Sequence, residues 1–223
     1  MEPSTKDPAG TGGGYLPIVK ENAPIPGCTV SGQLMPGVTC FSLARGTDIS
    51  AESYPVPVLH YQLSGAVGLD CPARTQWRPE VGGGQLVLKA AGTDIGVRAK
   101  ADSVYLEIAL GRETNVNDII KAGEAFQLKE LVPYQAGKIV NMDIVSNEAM
   151  KFVVMSFDEG TGLSEHAAPG EAIVFALDGE ATIGYEGGEY PLKAGEQFKF
   201  AKGGLHSVRA SGRFKMALLL VLK

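Results

Sequence analysis

The chain has 223 residues, 44% of them hydrophobic and 20% charged, with a net charge of −5 and no run of Lys or Arg. That composition is ordinary for a globular protein and lacks the basic footprint that nucleic acid or an anionic membrane requires. No stretch of ~18 apolar residues is present to serve as a membrane span.

Residues 1–14 are rich in Pro, Gly, Ser and Thr and end in Gly12-Gly13-Gly14, a composition expected of a disordered tail. The opening Met1-Glu2-Pro3-Ser4 lacks the basic and apolar regions of a secretory signal. The three cysteines, Cys28, Cys40 and Cys71, are odd in number and show no CxxC spacing. They are expected to be reduced thiols of a cytoplasmic protein, each a small buried residue.

Beyond the tail, short apolar runs are punctuated by Gly, Pro, Asn or Asp every ~8–12 residues, the pattern of an all-β sandwich or barrel. Lys151–Phe157, Ala172–Leu177, Ala181–Tyr185 and Met216–Leu222 read as strands. Leu177-Asp178-Gly179-Glu180 and Glu186-Gly187-Gly188-Glu189 read as turns between them, with glycine supplying positive φ. One segment departs from the pattern. Asn115-Val116-Asn117-Asp118-Ile119-Ile120-Lys121-Ala122-Gly123 reads as a short helix with a glycine cap. The expected organisation is therefore a first unit at 15–110, a helical linker at 111–125 and a second unit at 126–223.

The two units are copies. Ser42–Ser50 returns as Ser156–Ser164 at an offset of 114 residues, which also pairs Pro55 with Pro169 and Gly65 with Gly179. Gly96–Ala99 returns as Ser207–Ala210 at an offset of 111, shared by Gly84 and Gly195. Surface loops absorb a slip of that size at little cost.

From Gly160 to Ala210 the second copy resembles the cupin superfamily. The first motif of that family runs Gly, five residues, His-x-His, three or four residues, Glu, six residues, Gly; this chain supplies Gly160, His166, Ala168, Ala172 and Gly179. The second motif runs Gly, five residues, Pro-x-Gly, two residues, His, three residues, Asn, and falls on Gly195, Ala201, Gly203, His206 and Ala210. The first copy keeps neither motif histidine: the same frame gives Glu52, Tyr54, Val58 and Ile95, and His60 aligns with Val174 in a core strand. The resemblance implies an all-β bicupin of two tandem jelly-roll barrels, with any chemistry confined to the second and the first read as structural.

The resemblance also implies that His166 and His206 converge on one wall of the second barrel. The family's site uses three His and a carboxylate around a transition metal. Here the candidates beyond the two imidazoles are Glu171, which could swing in from the turn, Met155 on a neighbouring strand, and Glu165, whose alternation with His166 turns it away. The expected occupant is one divalent transition metal (Fe, Ni, Zn or Mn) on His166, His206 and Glu171, or none. His206 could equally bond backbone carbonyls at the barrel mouth, and His166 could be an exposed strand residue. Phe198, Phe200 and Phe214 read as barrel core, and no GxSxG, P-loop or dinucleotide motif is present. Three functions stay open: a small-molecule-binding bicupin, a metal-dependent oxygenase or isomerase, and a structural duplication mimicking a cupin dimer. The expected partner is a small molecule, with room for a homodimer.

Overall fold

The computed structural model describes residues 12–74 and 76–222. The expectation of disorder at the start of the chain lies outside them, save for its last three residues. There the outcome differs: Gly13 is buried and β1 (Gly14–Tyr15) is a strand. A one-turn helix, α1 (Ile18–Glu21), follows.

The chain divides into two units. The first spans Ile18–Leu128; the second combines residues 129–222 with residues 12–17. The first unit contains β2 (Thr29–Met35), β3 (Val38–Leu43), β4 (Asp48–Glu52), β5 (Val58–Ser64) and β6 (Ala66–Asp70). It continues with β7 (Glu80–Gly82), β8 (Gln85–Lys89), β9 (Ile95–Ala99), β10 (Ser103–Ala109), β11 (Asn115–Val116) and β12 (Ala125–Gln127). Two sheets result, ordered β12-β8-β5-β10-β3-β2 and β4-β9-β6-β7. Leu43, Val67, Leu69, Val81, Val87, Val97 and Tyr105 pack between them.

The expected helix at Asn115–Gly123 is absent. Asn117 explains why: its side-chain oxygen accepts from the Ile119 amide and its carbonyl from the Ile120 amide. That Asx turn competes with a helix too short to pay for its own nucleation. Among the described residues, helical structure is confined to α1 and a 3-10 turn at Leu128–Glu130.

The second unit contains β13 (Ile139–Ser146), β14 (Met150–Phe157), β15 (Gly162–Ala167), β16 (Glu171–Tyr185), β17 (Gly188–Lys193), β18 (Gln197–Phe200) and β19 (Leu205–Val221). Its order is β1-β18-β16-β19-β14-β13, with β15 on β19 and β17 on β16. The long strands β16 and β19 each do the work of two strands in the first unit, β5 with β6 and β9 with β10. The expected turn at Leu177–Glu180 is accordingly a corner within β16, where the register shifts on either side of Asp178 and Gly179. Phe157, Tyr185, Phe198, Phe200 and Phe214 fill the interior, as expected of the three Phe named above.

The pairing register shows the duplication independently of sequence. In the first unit His60 faces Glu107, Gln62 faces Tyr105 and Val58 faces Lys89. In the second, Val174 faces Leu218, Ala176 faces Met216 and Ala172 faces Phe200 at the same places. Of the cysteines, Cys40 and Cys71 are buried as expected, whereas Cys28 is exposed, and all three are free thiols.

Candidate functional site

His166 on β15 and His206 on β19 are direct cross-strand partners, so their side chains stand on the same face. Their ring centroids lie 4.2 Å apart with planes inclined at 52°. On its other flank His206 is paired with Tyr185 of β16, and Phe200 of β18 stacks on it at 4.0 Å and 24°. His206 is therefore buried, at 6% exposure, while His166 is exposed. The pair spans the step from core to solvent at the barrel mouth.

Both imidazoles are oriented by the same local device. His166 Nδ1 lies 2.8 Å from the Ser164 carbonyl oxygen and His206 Nδ1 lies 3.2 Å from that of Gly204, each two residues upstream. A carbonyl oxygen can only accept, so Nδ1 carries the proton in each neutral ring and Nε2 keeps its lone pair. Burial holds His206 below the ordinary histidine range, and the His166 ring pushes it the same way. The Gly204 carbonyl opposes both. His206 is thus a neutral acceptor at pH 7.

The strand carrying His206 is clamped from the adjacent hairpin. Glu186 and Gly187 both have positive φ, 47° and 78°, as the type I′ turn joining β16 to β17 demands. Glu186 Oε1 accepts the Leu205 amide at 2.7 Å, and the Glu186 amide donates to the Leu205 carbonyl at 3.0 Å. Neither this clamp nor the Phe200 stack was foreseen. A glutamate ahead of glycine in a two-residue turn was the available signal, since that position favours Asn, Asp or Gly.

The third named residue is placed elsewhere. Glu171 stands opposite Val221, at the far end of the β16–β19 pairing from His206, and its carboxylate is 3.4 Å from Lys199 Nζ. Glu165 is exposed, and Met155 packs against the barrel core. The positions where the family carries its remaining motif-one ligands are Ala168 and Ala172, each 2% exposed. Among the described residues no group of three or more His, Cys, Asp or Glu is arranged to hold a metal ion. Two imidazoles backed by aromatic carbon do not fit the family's four-ligand centre.

Residues 153–222 match the family model described as Cupin domain. Over 99% of both chains the protein is similar, at 25% identity and a TM-score of 0.80, to the Cupin 2 conserved barrel domain protein from Leptotrichia buccalis. Over 90% of this chain and 78% of the other, it shares the fold of salicylate 1,2-dioxygenase from Pseudoaminobacter salicylatoxidans, at 10% identity and a TM-score of 0.62. No curated protein matches the chain. Among the described residues no helix is long and apolar enough to cross a membrane. The motif frame and these matches place a cupin domain at residues 153–222, and the chain as a whole shares the fold of a cupin-barrel protein.

Proposed function

We propose that the second unit binds a small molecule at its barrel mouth, on His166 and His206. The observation that carries this reading is the pair itself: two of the chain's three histidines meet at 4.2 Å across adjacent strands. Each has Nδ1 committed to a carbonyl and Nε2 left as an acceptor. One imidazole is held in apolar surroundings and the other reaches solvent, so a ligand O–H or N–H can bond at a partly desolvated surface. Hydrogen bonds are worth more there than in bulk water.

The test is ligand-observed NMR with a set of phenols and small carboxylic acids. Hits that weaken about tenfold or more in both His166→Ala and His206→Ala support the reading, a loss in line with one hydrogen bond to a partly buried partner. Hits that survive both substitutions, or no hits at all, overturn it. Metal analysis of protein purified without chelator runs alongside. Stoichiometric Fe, Ni, Zn or Mn, lost in each variant, would replace the small-molecule reading with a metal centre that uses the imidazoles as its protein donors.

A further inference from the structure

The first unit, expected to be structural, buries a set of polar side chains on the inner face of its larger sheet. Lys89 Nζ and Glu107 Oε1 are 2.5 Å apart at 4% and 8% side-chain exposure. The half-buried Tyr54 donates its hydroxyl to Glu107 Oε2 at 2.9 Å. His60 and Gln62 lie beside this cluster, His60 directly across from Glu107 and Gln62 across from Tyr105. His60 stacks on Tyr105 at 4.2 Å and 26°.

The fold does not require these residues. The second unit holds Val174, Ala176, Met216, Leu218 and Phe200 at the places of His60, Gln62, Tyr105, Glu107 and Lys89, by register alone. It packs them into its core. Burying a charged pair and three further polar groups instead carries a desolvation cost that well-packed apolar residues avoid.

The hydrogen bonding is incomplete in a way that defines what is missing. Gln62 Nε2 donates to the Ser64 carbonyl at 2.7 Å, which fixes Gln62 Oε1 as the acceptor facing His60 Nε2 at 2.9 Å. His60 therefore carries its proton on Nε2 and presents a bare lone pair at Nδ1. That nitrogen and the Tyr105 hydroxyl are both fully buried and have no hydrogen-bond partner among the described residues. Glu107 neutralises Lys89, so the cluster has no net charge with which to hold an ion. Of its polar atoms, those left with no partner at all are one acceptor, His60 Nδ1, and one hydroxyl, that of Tyr105.

We propose that the first unit is a second, metal-independent binding site for a small neutral alcohol or diol. One ligand hydroxyl donates to His60 Nδ1 and an oxygen of the ligand accepts from Tyr105. A hydroxyl group does both, where a carbonyl compound could only accept and an ammonium could only donate. Tyr54 is the only one of the six that is not buried.

The chain has three histidines, so ring nitrogens in histidine-15N-labelled protein can be followed singly during titration with ethylene glycol and glycerol. The expected result is a saturable upfield movement of His60 Nδ1 while His166 and His206 stay still, with affinity about tenfold weaker in Tyr105→Phe. Should Tyr105→Phe fail to fold, His60→Val with Gln62→Ala installs the second unit's own residues, and saturation transfer to the diol protons is then expected to vanish. Linear drift of all three histidines, unchanged affinity in the variants, or no saturable response overturns the proposal. So does a His60 Nδ1 already hydrogen-bonded without diol and unmoved by it, because enclosed water is then its partner.

Discussion

His60 and His206 are both held neutral at pH 7, by different surroundings with separable consequences. His60 is wholly enclosed, faces Lys89, Glu107, Gln62 and Tyr105, and is pushed down to about 3, chiefly by burial and then by the Lys89 charge. Its unfolded value is 6.5. Above pH 6.5 it is neutral in both states and contributes no pH dependence. Between 6.5 and 3 the unfolded chain binds a proton that the folded chain refuses, so stability falls as the pH falls, by at most about 1.4 kcal/mol per pH unit. Chemical denaturation at pH 7 and pH 5 is therefore expected to show a smaller loss in His60→Val than in the parent, by about 2 kcal/mol; equal losses would rule this out. For His206 the His166 ring is one of the depressing influences and His166 is part of its cover. His166→Ala is thus expected to raise the His206 titration midpoint toward 6.5, read by NMR, and a midpoint that moves down would contradict the stated causes. Much of this was legible in the sequence at the mouth of the second barrel, where motif spacing marked His166 and His206. Glu171 was not legible as a partner of Lys199, because that pairing depends on the register of β16 with β18. The His60 cluster escaped for a related reason: its members sit far apart in sequence, in strands that otherwise read as apolar, and only pairing shows that they share a face.

Among the elements, the corner glycines show most directly how one barrel was built twice. Gly65 has φ +73° and an added Cβ would lie 2.1 Å from the Asp102 carbonyl oxygen. Gly179 has φ +71°, and its Cβ would lie 1.9 Å from the Arg213 carbonyl oxygen. The same backbone crossing recurs at equivalent corners, and in each case the close atom is main chain that cannot swing aside. Gly65→Ala and Gly179→Ala are each expected to cost more than about 2 kcal/mol, from a left-handed backbone and an overpacked contact together. Gly160→Ala, with φ +74° but open space around it, should cost only about 1 kcal/mol. Equal losses at Gly179 and Gly160 in denaturant melts would show that the close contact relaxes freely. The glycines themselves were visible as repeats. Whether each makes a hairpin or a bend inside a long strand was not, because a tetrapeptide such as Leu177-Asp178-Gly179-Glu180 satisfies both and only the partner strand chooses.

On the scale of the molecule, the two units differ in what they bury: the second has an apolar interior with the His166–His206 pair at its edge, and the first adds paired and half-paired polar groups to its apolar core. Residues 12–17 belong with the second unit although they precede the first in sequence. Gly14 and Tyr15 pair with Lys199 and Phe198, and the Tyr15 ring packs edge-on against Phe198 and Tyr190 at 5.6 and 6.0 Å. Its hydroxyl donates to the Pro191 carbonyl, and Gly13 lies so close that a Cβ there would sit 2.3 Å from the Tyr185 hydroxyl oxygen. A glycine-rich opening looks dispensable in sequence because nothing local shows the sheet edge that receives it. Tyr15→Ala removes the ring, its aromatic contacts and one hydrogen bond from a partly buried position, a loss of about 2 kcal/mol. Hydrogen exchange localises the effect. Protection is expected to drop in β16, β17 and β18, next to the lost ring, while amides of β5, β8 and β10 exchange as before. If protection fell equally in both sets, the two units would open as one cooperative body and the opening segment would be stabilising the whole chain.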